Sequence, residues 1–244
     1  MKVKIDNLTY IFLLVSFLSG YFEYMFLLLL IIFIHESGHY FFSKLIKFKY
    51  SEIVIYPFGG ITRYQEDLNI NSNKELFVLL GGITFQLLFC YLIKELFDYN
   101  YITAHVFSII KKINYCLISF NFMPVLPLDG GRLLNIILDK IFAYKLSYII
   151  SIIVSICFII YFFISHLTIF GIILTIFLIK SIYVEITNIE YKYNKFLLER
   201  YLNDYNFNKI RFINNINKFK RDFYHMVNNE FEKKYLHKLF DRKD

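Results

Sequence analysis

Apolar residues run in long blocks along this chain, and short polar segments separate the blocks. The longest block, from Leu146 to Ile179, has no Asp, Glu, Lys or Arg over 34 residues. Because a transmembrane helix needs roughly 20 apolar residues, and Ser165 and His166 interrupt this block, it predicts two helices. In all, the pattern predicts about six transmembrane helices with a short first one: about 8–20, 24–46, 76–93, 101–128, 147–164 and 167–185.

Composition agrees with a membrane protein. Of the 244 residues, 57% are hydrophobic and 19% are charged, whereas soluble domains average about 45–50% and about 25%. A disordered protein is excluded, and a water-soluble enzyme is disfavoured. The three cysteines lie far apart in apolar runs, so neither a disulfide framework nor a thiolate metal site is indicated.

The placement of basic residues predicts the orientation in the membrane. With the N-terminus in the cytosol, the loops inside hold ten Lys and Arg residues, against Lys94, Lys111 and Lys112 outside. Basic residues concentrate in cytoplasmic loops, so both termini are expected in the cytosol. The first apolar run lacks a small-residue cleavage site and leads into another span, unlike a signal peptide.

One motif inside the second predicted span carries catalytic chemistry. His35 and His39 are four residues apart and therefore share one helix face. Glu36 lies between them, which gives the arrangement in which two imidazoles bind Zn²⁺ and the carboxylate acts as general base. Ionisable groups at membrane depth are costly and usually functional, which favours this interpretation over a pair of core histidines.

Asp129 is the candidate third ligand. Catalytic zinc normally has three protein ligands, and Asp129 follows Pro124 and Pro127 at the cytosolic end of the fourth span. The prolines disrupt regular helix there, and irregular backbone at membrane depth is tolerated beside protein or a water-filled cavity. We therefore expect the Asp129 carboxylate to meet the two histidines.

These motifs resemble those of the site-2 intramembrane zinc metalloproteases, and most closely their sporulation branch. The similarity spans roughly residues 8–203 and includes segments after the second and sixth spans: Pro57-Phe58-Gly59-Gly60 and Phe196-Leu197-Leu198-Glu199-Arg200-Tyr201. It implies one Zn²⁺ per chain held by His35, His39 and Asp129, with Glu36 as the catalytic base and Asn121 as a supporting polar residue. It also implies a membrane-associated protein substrate, such as the pro-sequence of a sporulation sigma factor, and membrane inhibitor or regulatory proteins as partners.

The chain departs from the family pattern in two places. Many members have Gly-Pro-x-x-Asn/His in the third span, whereas this chain has Gly82-Ile83-Thr84-Phe85-Gln86, so Gln86 is the candidate supporting residue there. Sporulation-type members often end in a CBS-type domain. We expect residues 1–190 to form the six-span protease domain and the basic residues 191–244 a small cytosolic tail, a degenerate CBS remnant at most.

The loop after the second span predicts a short β-hairpin. Residues 51–56 alternate in polarity as a strand does, and Gly59 and Gly60 follow as a flexible turn. Such a hairpin could add a strand of substrate by backbone pairing. Alternatively, it is an interfacial loop that covers the cavity.

Other functions fit the sequence less well. A di-iron desaturase needs several histidine boxes, and the chain has six histidines and one box. Two histidines and a carboxylate also suit non-haem iron, but the Glu between the histidines favours hydrolysis. A non-catalytic membrane scaffold or transporter with a polar metal-binding pocket is the other alternative. No nucleic-acid recognition motif accompanies the basic tail, so no nucleic-acid partner is expected.

Overall fold

The computed structural model describes residues 3–47, 50–64, 68–205, 207 and 209–241. The helices are α1 Asn7–Leu18, α2 Phe22–Leu45, α3 Ser72–Asp98, α4 Ala104–Asn121, α5 Asp129–Ile141, α6 Tyr144–Ser165, α7 Ile169–Thr187, α8 Ile189–Leu202 and α9 Glu232–Phe240. The strands are β1 Val3–Ile5, β2 Tyr50–Tyr56, β3 Gly59–Tyr64, β4 Ile210–Ile213, β5 Tyr224–Val227 and β6 Glu230–Phe231. The prediction of a mainly helical protein is confirmed, and the described strands add two small sheets.

Three described helices are long and apolar enough to cross a membrane, namely α2, α3 and α6. A fourth span results if α7 and α8, which meet at a bend of 49°, count as one broken segment. The six predicted spans are therefore not confirmed. Helix α1 has 12 residues, which is short for a span, and α4 carries both Lys111 and Lys112 in its first half.

The described chain divides into two compact units. The first comprises residues 1–66 and 77–121, and the second comprises residues 67–76 and 122–244. The second unit includes residues on both sides of position 190. The predicted division into residues 1–190 and 191–244 stays a prediction.

In the first unit, the predicted hairpin forms and gains a third strand. Strands β2 and β3 are antiparallel, with Tyr56 opposite Gly59, and β1 pairs with β2 in parallel. This sheet packs on α2 and α4 through a shared apolar core: Ile31, Ile32, Ile53, Ile55, Ile110 and Leu117. The core holds the hairpin against the helix that carries the two histidines.

Helices α2 and α3 approach each other closely at two glycines. A Cβ at Gly38 would lie 2.2 Å from the Gly81 carbonyl oxygen, and one at Gly81 would lie 2.6 Å from the Gly38 oxygen. Any side chain at either position would force the backbones apart. Gly38 and Gly81 therefore permit the close packing of these two helices.

In the second unit, the tail is a folded element with its own sheet. Strand β5 pairs in parallel with β4 and antiparallel with β6. Its core joins tail residues to α6 and α8: Tyr144, Tyr193, Phe196, Leu197, Ile213, Phe219, Val227 and Leu236. Helices α8 and α9 accompany this sheet, which the sequence did not predict.

Arg200 is the buried charge that joins these parts of the second unit. Its guanidinium forms an ion pair with Glu232 at 2.7 Å and donates to Asn69 Oδ1 at 2.6 Å. It also donates to the carbonyl oxygens of Lys220 and Phe223. A buried charge is stable only when it is paired and hydrogen-bonded. These partners satisfy the Arg200 guanidinium, so the arginine of the segment 196–201 stabilises the fold.

The chain leaves helical geometry between α4 and α5, as the two prolines predict. Residues 122–128 form turns, and the Leu126–Pro127 peptide bond is cis. The segment is held by Ser155 of α6, whose hydroxyl accepts from the Leu126 N–H at 3.0 Å. Helix α5, which the sequence reading did not predict, begins at Asp129.

Candidate metal centre

Helix α2 places its two histidines one turn apart on a buried face. His35, Glu36 and His39 are 2%, 3% and 4% exposed, in a helix that is long and apolar enough to span a bilayer. One potential ligand atom from each of the three side chains lies within 4.8 Å of the others. Among the described residues, this is the group of His, Cys, Asp and Glu side chains compact enough to hold a metal ion.

One stripe of α3 orients both imidazoles. Val78, Gly82 and Gln86 follow one another at intervals of four residues and therefore share a face of α3. His39 Nδ1 lies 3.0 Å from the Val78 carbonyl oxygen, and His35 Nδ1 lies 2.8 Å from Gln86 Oε1. Since these oxygens can only accept, each Nδ1 carries the proton of a neutral imidazole and donates it. Each Nε2 therefore presents a lone pair.

The two Nε2 atoms face each other across 3.0 Å. Two lone pairs at that distance repel unless a cation lies between them. Zn–N bonds of about 2.0–2.1 Å in tetrahedral geometry separate two nitrogens by roughly 3.3 Å, close to the distance here. A hydrogen bond from the far ring nitrogen to a carbonyl is also how metal-binding histidines are usually oriented. The donor set therefore fits zinc.

Gly82 leaves room for the two rings. A Cβ at this position would lie 2.5 Å from His35 Cε1 and 2.6 Å from His39 Nε2. Helix α3 can therefore approach the histidines only with a glycine at this position. Gly82 therefore borders the candidate metal centre.

The hairpin covers the carboxylate of Glu36. A Cβ at Gly60 would lie 2.4 Å from Glu36 Cγ and 2.5 Å from its Cδ and Oε1. The backbone of β3 therefore contacts the candidate general base directly. The neighbouring Gly59 is not in such contact, since a Cβ there would meet Phe120 at 4.0 Å.

Three polar side chains complete the surroundings of His35. Asn121, at the end of α4, has its Nδ2 3.4 Å from His35 Nε2. Gln86 Nε2 donates to Asn114 Oδ1 at 3.2 Å, and Asn114 Nδ2 donates to Cys90 Sγ at 2.7 Å. A chain of hydrogen bonds thus runs from Cys90 through Asn114 and Gln86 to His35.

The first unit therefore brings together most of the predicted site residues: His35, Glu36, His39, Gly60, Gln86 and Asn121. Asp129 belongs to the second unit, where it is the half-buried first residue of α5. Gly130 after it packs against the carbonyl oxygens of Phe122 and Met123, where a Cβ would lie 2.3 Å and 2.4 Å away. The role of Asp129 as third ligand stays a prediction.

Sequence reasoning missed Val78, Asn114 and Cys90. The Val78 contribution is a backbone carbonyl, which no side-chain pattern shows. Asn114 and Cys90 could have been found by spacing, because Cys90 lies one turn after Gln86 and Asn114 lies two turns before Asn121. In both cases, a polar or thiol side chain in an apolar helix shares a face with a predicted site residue.

Comparison with known proteins points to one group of enzymes. Residues 23–101, which include nearly all of α2 and all of α3, match the model of peptidase family M50. The chain is 27% identical over 206 residues to stage IV sporulation protein FB of Bacillus subtilis, covering 82% of this chain and 72% of that protein. It is 28% identical over 135 residues to a zinc metalloprotease of Methanocaldococcus jannaschii, covering 53% of this chain and 38% of that protein.

A solved structure shares the fold. The site-2 protease from Methanocaldococcus jannaschii superposes with a TM-score of 0.61 at 22% identity, covering 75% of this chain and 89% of that one. The family match contains His35, Glu36 and His39, the residues whose geometry fits a metal ion, and also Gln86, which contacts His35. In sequence the chain is therefore similar to peptidase family M50 over residues 23–101, and in fold it is similar to the site-2 protease.

Proposed function

We propose that this protein is an intramembrane zinc metalloendopeptidase that cleaves a membrane-associated protein near the cytosolic face. One observation carries the proposal: the two imidazole Nε2 atoms converge at 3.0 Å beside the carboxylate of Glu36. The three side chains are buried in a helix long enough to cross a membrane. The similarity to a zinc metalloprotease supports the same activity.

His35 and His39 would hold one zinc ion, and we propose Asp129 as the third ligand. With two neutral imidazoles and one carboxylate, the centre would keep a net charge of +1. Zinc held there polarises the scissile carbonyl and acidifies water. The low-dielectric surroundings strengthen electrostatic stabilisation of the charge that develops during hydrolysis.

The side chains around the metal centre have distinct roles in hydrolysis. Glu36 takes a proton from the attacking water and delivers it to the leaving amine, as a general base and then a general acid. Asn121 directs its Nδ2 to the region next to His35 Nε2. This amide can therefore donate a hydrogen bond to the carbonyl oxygen as it becomes negative. Gln86 keeps His35 in the tautomer that binds metal.

The hairpin offers a place for the substrate backbone. The sheet order β1-β2-β3 leaves β3 at an edge, and Gly60 on this strand contacts Glu36. An extended substrate segment paired with β3 would bring its peptide bonds past the general base. We therefore prefer strand addition to a purely covering role for Gly59 and Gly60.

We further propose the six-span topology, with both termini cytosolic in a bacterial membrane, a protease domain over residues 1–190 and a tail over 191–244. The excess of basic residues in the loops assigned to the inside supports this orientation. Labelling cysteines introduced at Tyr99 and at Tyr201, with Cys90, Cys116 and Cys157 replaced, tests it. Only the Tyr99 position should react from outside.

The similarity to stage IV sporulation protein FB makes the pro-sequence of a sporulation sigma factor the proposed substrate class. Membrane inhibitor or regulatory proteins are the proposed partners. Coexpression with such a pro-protein is therefore the first assay of activity.

Glu36→Gln tests the function directly. The variant should retain zinc and membrane insertion but lose cleavage, because glutamine cannot accept the proton of water. A loss of about 100–10,000-fold is expected from general-base catalysis. Leu87→Ala, at an exposed position of α3, is the control and should cleave normally. Unchanged cleavage in Glu36→Gln would instead support the scaffold or transporter alternative.

A further inference from the structure

We propose that Asn114 is a positioning residue that determines whether His35 can bind the metal ion. Asn114 is 2% exposed and touches neither His35 nor His39 through the contacts described above. It acts through Gln86, whose amide it orients. The inference rests on the proposed function, because it concerns the zinc ligand His35.

The two histidines differ in how firmly their tautomers are set. His39 Nδ1 faces the backbone oxygen of Val78, which can only accept, so His39 Nε2 keeps a lone pair whenever the ring is neutral. His35 Nδ1 faces the side-chain amide of Gln86, which has an accepting and a donating end. The tautomer of His35 therefore depends on the orientation of this amide.

Reversal of the Gln86 amide would remove His35 as a ligand. If the NH₂ group faced His35 Nδ1, the ring proton would move to Nε2. His35 Nε2 would then donate across the 3.0 Å gap to His39 Nε2. That arrangement satisfies both rings without a metal ion. Zinc must therefore compete with an internal hydrogen bond unless the amide of Gln86 is held in place.

Asn114 fixes the orientation of the Gln86 amide by accepting a hydrogen bond from it. Asn114 Oδ1 receives the Gln86 NH₂ group at 3.2 Å, while its own NH₂ group is directed to Cys90 Sγ at 2.7 Å. All donors in this chain, from His35 Nδ1 through Gln86 to Asn114, point away from the metal centre towards Cys90. An acceptor at position 114 is thus the property that keeps the His35 Nε2 lone pair available.

The test compares variants at position 114 that keep the Gln86 amide in its present orientation with variants that no longer fix it. Asn114→Asp keeps only acceptors at position 114, and Asn114→Leu removes both donor and acceptor at similar volume. Purified full-length proteins are titrated with Zn²⁺ against a chelator. The d–d absorption of bound Co²⁺ reports the number and kind of ligands. Tyr115→Leu, on the exposed side of α4, is the control.

Zinc affinity is expected to fall about 10–100-fold in Asn114→Leu, the usual effect of losing an outer partner of a metal ligand. Asn114→Asp should stay close to the parent in affinity and in Co²⁺ spectrum, although it introduces a buried carboxylate. A purely structural role predicts the reverse order, because an apolar residue of similar volume is tolerated better there than an extra charge. That reverse order, or equal affinities, would overturn the inference.

If Asn114→Leu does not fold, the same comparison can be made at Gln86, which contacts His35 directly. Gln86→Glu presents only acceptors to His35 and should keep zinc, whereas Gln86→Leu should lose affinity. Equal zinc affinity in these two variants contradicts the inference. A parent protein that binds no zinc contradicts the proposed function itself, whereas a zinc-binding parent with unaffected Asn114→Leu contradicts only the role of Asn114.

Discussion

At the scale of residues, the candidate centre depends on backbone that comes close to reactive side chains. Gly60 contacts Glu36, and Gly82 contacts His35 and His39. The Gly60 contact involves the candidate general base, whereas the Gly82 contact involves the candidate metal ligands. Substitutions at these two glycines can therefore test catalysis and metal binding separately. A methyl group at each position should therefore have a different consequence.

Gly60→Ala should impair cleavage with little effect on zinc content. The added methyl group would occupy space within 2.5 Å of Glu36 atoms, so it displaces the base but not the imidazoles. A displacement of about 1 Å can reduce turnover on the order of 100-fold. Cleavage rate and bound zinc are measured on the same purified sample.

Gly59→Ala is the matched control, since its methyl group would meet Phe120 at an ordinary distance of 4.0 Å. It should cleave as the parent does. Equal rates for Gly59→Ala and Gly60→Ala would show that β3 does not position Glu36. Gly82→Ala should differ from both, because it crowds both histidines and lowers zinc content.

Asp129→Ala tests the third ligand. Removing one of three protein ligands should reduce zinc occupancy, and the same result is expected for His35→Ala and His39→Ala. Asp139→Ala, at a buried aspartate further along α5, controls for loss of a carboxylate from this helix. If Asp129→Ala retains zinc at the parent level, Asp129 is not a ligand and the centre needs another donor.

At the scale of elements, α2 and α3 form the site through repeats of four residues on each helix. The tail sheet shows a different principle, since it is built around buried charges. His225 is fully buried, and its Nε2 accepts from the Lys220 N–H at 3.1 Å, while Nδ1 faces Glu232 at 3.2 Å. The neutral ring fits this pattern, because a protonated Nε2 could no longer accept.

The tail should therefore loosen in acid. Burial lowers the pKa of His225, and nearby Arg200 adds to the effect although Glu232 opposes it. Since the pKa in the folded state lies below the ordinary value of about 6.5, stability from His225 is complete above pH 6.5 and is lost as pH falls below it. Hydrogen exchange of strand β5 between pH 7.5 and 5.5 measures this change.

His225→Gln provides the comparison, because it retains an acceptor but does not titrate. Its β5 exchange should depend less on pH over the same interval. Asp139, whose pKa is raised to about 6 by burial despite Arg221, titrates in both proteins. Because its pKa is raised in the folded state, protonation of Asp139 stabilises the fold as the pH falls towards 5.5. Asp139 therefore cannot explain a loss of stability in that range. Equal pH dependence in both proteins would exclude His225 as the cause.

At the scale of the whole molecule, the features with a strong local signal were predictable. The HExxH spacing predicted the two histidines on one face, and the proline pair predicted the irregular segment 122–128. Alternation and paired glycines predicted the hairpin. In each case, a few neighbouring residues determine the local geometry.

Features made by contacts distant in sequence were not predictable. Strand β1 has three residues and pairs with β2 about 50 positions later, and β4 to β6 are too short to show a period. Asn114 lies 28 residues from its partner Gln86. Uniformly apolar helices also hide which face is buried, because lipid and protein neighbours favour the same side chains.

X-ray absorption at the zinc edge of the purified protein tests the central claim most directly. We predict one zinc per chain, with two imidazole nitrogens among its ligands and oxygen donors completing the shell. His39→Ala should reduce the imidazole contribution or abolish binding. A parent protein with sulfur ligands, with one imidazole or with no bound zinc would contradict the assignment of His35 and His39 as a shared metal site.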